Sequence, residues 1–205
     1  MTRSEGGGGA PVDGYRYHNP EIEPAPRTYW INRAFRALFT LGILTTAWLA
    51  HGQPPLDRVL VTILNLKDVY PGVYIGIVVA SITMYPFHEL VHGVAGRLLG
   101  LRVRYGFDWY GPTPFVVTYG RPQTRAETAY IAAAPLVSIS LVLFPLIVFG
   151  SSLFAAVMLL PLIVNTLGAA TDLNTIWEMY QLESGVLIEH DREENAQYYI
   201  PDPAD

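Results

Sequence analysis

From Thr128 to Thr171 the chain runs for 44 residues without an Asp, Glu, Lys or Arg. At roughly 1.5 Å per helical residue that stretch reaches about 66 Å, enough for two bilayer crossings of about 30 Å each. Gly150-Ser151-Ser152 lies near its middle and is the natural turn. A small soluble domain has too little interior to bury so long a charge-free stretch. Uncharged runs also extend from Val69 to Phe87 and from Ala37 to Pro55. The sequence therefore predicts an all-α membrane protein with four transmembrane helices, near 30–50, 73–98, 128–149 and 152–175. Composition agrees, with 51% hydrophobic and only 15% charged residues. Ordinary soluble domains carry about a quarter charged.

Lys and Arg set the expected orientation. Four spans put both termini on one side, together with the loop 99–127. That side holds 11 of the 13 basic residues, among them Arg33, Arg36, Arg97, Arg102, Arg104, Arg121 and Arg125; Arg58 and Lys67 lie opposite. A multi-pass protein of the cell membrane with cytoplasmic termini is expected. Residues 1–28 are polar, with four consecutive glycines, and read as a flexible tail ahead of a membrane domain over 29–180; residues 181–205 read as a cytoplasmic tail. A short surface helix is expected over 54–68. Alternation over 101–119, broken at Gly111-Pro112, predicts a β-hairpin between helices 2 and 3. Residues 185–200 hold a second candidate hairpin. The absence of cysteine excludes a disulfide-stapled domain and cysteine-ligated metal. The net charge of −5 gives no basic footprint for nucleic acid.

The chemistry lies in the second predicted helix, where His88-Glu89-Leu90-Val91-His92 forms an H-E-x-x-H motif. Residues four apart share a helix face, so both imidazoles reach one metal ion. Glu89 is turned by about 100° from His88, close enough to take a proton from water at an open coordination position without being a ligand. Ionisable residues inside a membrane segment are costly and mark function by default. The alternative is that the three side chains sit at the interface and bond to lipid headgroups.

Catalytic zinc usually takes three protein ligands. Of the remaining histidines, His18 is in the N-terminal tail, His51 on the predicted opposite side and His190 in the C-terminal tail. Asp172 is the better candidate, because it ends the charge-free run at a depth comparable to His88 and His92. Asn165 lies seven residues earlier, on the same helix face. It is a candidate for a substrate or oxyanion contact, or for an interhelical bond. Gly168, Ala169 and Ala170 are small and allow close helix approach. Pro86, two residues before His88, bends the helix or opens it to water. Glu127 begins the third helix as a solvated carboxylate or approaches the site. Tyr105, Trp109, Tyr110 and Tyr119 serve as membrane-interface aromatics or flank an edge for a substrate strand.

His88-Glu89-Leu90-Val91-His92-Gly93, Ala134-Pro135 and the stretch from Asn165 to Asp172 resemble a small membrane family described as putative zincin peptidases, a domain of unknown function. More broadly the pattern is similar to the site-2-protease type of intramembrane zinc metallopeptidase. The resemblance spans roughly residues 70–200. It implies one zinc ion, held by His88, His92 and Asp172, and hydrolysis of a peptide bond in a peptide or membrane-protein substrate near the cytoplasmic face. Glu89 would act as the general base. The residues alone imply only a metal-activated water. A non-catalytic scaffold or assembly factor that keeps a metal site is the second reading, and a metal transporter the third.

Overall fold

A computed structural model of the protein describes residues 12–18, 26–51, 65, 71–110, 113–191 and 196–202. Among these, four long helices form: α1 (Pro26–His51), α2 (Pro71–Leu98), α3 (Arg125–Phe149) and α4 (Ser152–Gln181). The boundaries follow local chemistry. Thr124 caps α3 with a reciprocal box, its hydroxyl accepting from the Glu127 N–H at 3.2 Å and its own N–H donating to Glu127 Oε2 at 2.8 Å. Gly150 closes α3 with a bond to the Leu146 carbonyl, and Ser151 caps α4. The two-residue break between them produces an antiparallel pair.

Three helical stretches are long and apolar enough to cross a membrane: Tyr74–Leu98, Arg125–Phe149 and Val157–Gln181. The chain is thus a multi-pass membrane protein in composition and architecture. α1, which carries Arg33 and Arg36, is not among the three. It packs all the same, with Ile43 and Ala47 meeting Ile147 of α3 and Ala155, Leu159 and Leu162 of α4 in one buried cluster. Outward-facing Ile82, Leu141, Val142 and Phe149 are largely exposed, as a lipid-facing surface requires.

The described residues are mostly helical, as expected, and carry two small antiparallel sheets as well. Strands β2 (Arg102–Asp108) and β3 (Thr113–Tyr119) pair between α2 and α3. The second sheet has four strands in the order β1-β6-β5-β4, built from Tyr15–His18 (β1), Gln123–Thr124 (β4), Leu187–His190 (β5) and Ala196–Pro201 (β6). Its outer strand corrects the reading of residues 1–28 as a flexible tail. Tyr15–His18 pairs with β6, Tyr17 standing opposite Tyr199 with ring centroids 6.4 Å apart, and α1 already begins at Pro26. The tail holds aromatic residues of strong β-propensity, and a distant strand supplies the edge they need. The helix expected over 54–68 lies outside the described residues, apart from Asn65.

The β2–β3 pair lies against α2 one turn beyond the H-E-x-x-H motif. Two glycines permit the approach. A Cβ on Gly93 would overlap the Tyr105 hydroxyl, and one on Gly96 would stand 2.5 Å from Thr118 Cγ2. This contact brings β3 beside Glu89.

Candidate metal centre

His88 and His92 project from the same face of α2, with ring centroids 4.9 Å apart and planes at 80°. α4 brings Asp172 between them. Asp172 Oδ2 is 3.0 Å from His88 Nε2, and Oδ1 is 3.2 Å from His92 Nε2. One ligand atom from each of the three residues lies within 4.8 Å of the others. His88 and His92 are buried, at 2% and 7% exposure. Gly168 is one turn from Asp172, and a Cβ there would reach 3.4 Å from His88 Cε1. The small residues of α4 thus set how closely the two helices meet.

The outer nitrogen of each imidazole is anchored. His88 Nδ1 lies 2.9 Å from Asn165 Oδ1, and His92 Nδ1 lies 2.7 Å from the Ile131 carbonyl. Both partners only accept, so both Nδ1 atoms carry the proton and donate it. Each Nε2 is then the lone-pair nitrogen, aimed at Asp172. Such outer bonds fix tautomer and ring orientation at metal sites. The Ile131 carbonyl is free for a local reason. Residue 135 is proline, with no N–H to bond back four residues. Asn165 is oriented in turn by its own Nδ2, which donates to the Pro135 carbonyl at 3.5 Å.

These donors suit zinc. Two neutral nitrogens and a carboxylate converge, their outer shell is satisfied, and one side opens on a cavity of about 500 Å³. Glu89 and His92 of α2, Phe115–Thr118 of β3, Thr171 and Asp172 of α4 and His190 of β5 contribute to its walls. Glu89 borders this open side, and Val116 of β3 lines the same cavity.

His88, His92 and Asp172 therefore come together, and Asn165 joins them through His88. Asn165 is 1% exposed, is absent from the cavity wall and spends its carboxamide on His88 and Pro135. Its bond to His88 is interhelical, one of the two roles the sequence allows it. Glu127 stays at its cap, paired with Arg121 at 2.6 Å, away from the metal ligands. His190 enters the cavity wall, although its tail position gave no hint of that; burial pushes its imidazole below the ordinary histidine range, against a smaller opposing pull from Asp191. The sequence alone did not point to the Ile131 carbonyl, freed by Pro135, as the partner of His92. A proline inside a helix always frees the carbonyl four residues before it, and that signal was available.

No curated protein and no solved structure matches the chain. One family does, over residues 81–187, which include the H-E-x-x-H motif, Asn165 and Asp172. With just over half of its length matched, the chain belongs to the family described as putative zincin peptidase.

Proposed function

We propose that this protein is a membrane-embedded zinc metallopeptidase, similar to site-2 proteases, that cleaves peptide bonds near the cytoplasmic membrane face. The observation that carries this reading is the convergence of His88 Nε2, His92 Nε2 and Asp172 beside a cavity that also holds Glu89. In this reading α1 is a fourth span, both termini are cytoplasmic, and the two sheets lie at that face. The positive-inside asymmetry supports the orientation. A zinc ion held by these three residues would supply Lewis acidity to the scissile carbonyl and to the attacking water. Glu89 takes the proton of the attacking water and returns it to the leaving amine. Asn165 and Ile131 hold the two imidazoles so that neither turns during that transfer. The substrate lies along β3 as an added strand, its scissile bond held within reach of Glu89.

The test is metal content and cleavage measured together on the detergent-purified protein. About one zinc per chain, lost or weakened in His92→Ala and Asp172→Ala, is expected. Glu89→Gln should keep the zinc and lose cleavage. Zinc retained with no hydrolysis in the wild type, and a cellular phenotype untouched by Glu89→Gln, would favour the scaffold reading instead. Failure of the wild type to bind zinc would remove the hydrolase reading.

A further inference from the structure

A buried polar atom without a hydrogen bond costs about 1–3 kcal/mol and needs a physical reason. Among the described residues four buried side-chain atoms have no partner: Thr128 Oγ1, Ser140 Oγ, Asn174 Oδ1 and His190 Nδ1. Thr128 and His190 both stand in the wall of the metal cavity, and Ser140 and Asn174 do not.

Thr128 departs from the pattern of other helical threonines in the chain. A helical hydroxyl commonly bonds back to a carbonyl of the preceding turn. Thr46, Thr83 and Thr166 do so onto Gly42, Val79 and Leu162, at 2.8–2.9 Å. Thr128 is 8% exposed and makes no such bond. His190 reaches the cavity by way of the sheet. Gln123 of β4 stands opposite Ile188 of β5, and each is 1% exposed. Alternate residues of a strand share a face, so His190 follows Ile188 on that inner side. The two unpartnered atoms thus come from different elements, the start of α3 and the end of β5. They border one space of about 500 Å³ with Glu89, His92 and Asp172.

These two atoms define the partner they need. A hydroxyl donates or accepts, and a neutral imidazole nitrogen does one or the other. A carboxamide matches both, with an acceptor oxygen and two N–H donors on one head. A charged head fits poorly. Glu89 and Asp172 in the wall repel an acid. A base would need one of them as its counter-charge, and in the peptidase reading both are engaged with zinc and water.

We propose that Thr128 and His190 form a polar subsite beside the metal, which takes an Asn or Gln side chain of the substrate next to the bond to be cut. This rests on the peptidase reading above and names the substrate class. Both side chains reach the carboxamide by rotation about χ1. A leucine of similar size leaves both atoms unpaired, so the subsite discriminates by hydrogen bonding and not by volume.

The test uses N-acetylated amino-acid hydroxamates, anchored at zinc, with Gln, Asn, Leu, Glu or Lys as the side chain. Binding to the zinc-loaded full-length protein in detergent is measured by calorimetry. The better of the two carboxamides should bind about 5- to 30-fold tighter than Leu, as one to two hydrogen bonds supply. Thr128→Val keeps the shape and removes the hydroxyl. It should cut that preference about threefold or more while leaving the Leu probe unchanged, and His190→Leu should do the same. Ser140→Ala, which removes an unpartnered hydroxyl outside the wall, should leave the preference intact. Equal binding of carboxamide and Leu probes in the wild type overturns the proposal. So does tighter binding of Glu or Lys, or a preference that survives both variants. If His190→Leu fails to fold, Thr128→Val carries the test alone. Failure of every hydroxamate to bind removes the subsite together with its metal anchor. A carboxamide preference in a protein that cleaves nothing would uphold the subsite and remove the peptidase reading. Cleavage without that preference would do the reverse.

Discussion

Replacing Pro135 with alanine should strengthen the fold and weaken the metal site. Pro135 leaves the Ile131 carbonyl without its helical donor, and His92 Nδ1 takes that carbonyl at 2.7 Å. Alanine restores an N–H aimed at the same oxygen. The gain in helix stability is bounded at about 3 kcal/mol, the cost of an interior proline in water, and is smaller where neighbours re-satisfy the backbone. The loss at the metal follows from the outer-shell role. Removing such a partner typically costs about 10–100-fold in affinity. A carbonyl has two lone pairs, so the His92 bond is shared and bent more than abolished. That places the expected loss near the lower end, about tenfold or 1.4 kcal/mol. Zinc affinity is read by competition with a chelator, and stability by the melting temperature of the zinc-free protein. Pro145→Ala in the same helix is the control, since Pro145 has no contact with a ligand histidine in the hydrogen bonds described. Unchanged zinc affinity in Pro135→Ala, or an equal loss in Pro145→Ala, would refute the account.

Three further outcomes are expected. Asn165→Leu strands the His88 Nδ1–H in a buried site, and zinc affinity should fall about 10–100-fold by the same competition assay. Gly96→Ala drives a Cβ to 2.5 Å from Thr118 Cγ2 and should cost about 1–3 kcal/mol, whereas Gly42→Ala in α1, with nothing within 4 Å, should gain up to about 1 kcal/mol; melting temperatures separate the two. The pKa of His190 is depressed by burial, so the fold favours the neutral imidazole. Its contribution to stability is complete above about pH 6.5 and is lost as pH falls through its lower folded value. His190→Gln should therefore flatten the acid side of the melting-temperature profile, and a profile identical to wild type would contradict this.

The extent of the helices was legible in the sequence because bilayer-length hydropathy and caps are local. The spans expected at 73–98, 128–149 and 152–175 fall within α2, α3 and α4. The pairing of His88 with His92 was legible for the same reason, since a helix alone places residues four apart on one face. Asp172 was reachable by depth along its helix. The N-terminal strand was not legible, because Tyr15–His18 becomes a strand only when β6, some 180 residues later, offers its edge.

The amino-acid order by itself thus determined the apolar helices, the two-histidine face and the carboxylate beside it. Tertiary structure decided what each polar group faces. Asn165 meets His88 across 77 residues of chain, Asp172 meets it across 84, and Ile131 meets His92 across 39. Helix periodicity assigns a face to a residue but not the neighbour that face will meet. That neighbour depends on which small residues let two helices approach and on which carbonyl a proline has left free. In this chain Gly93, Gly96 and Gly168 govern the approach, and Pro135 governs the carbonyl.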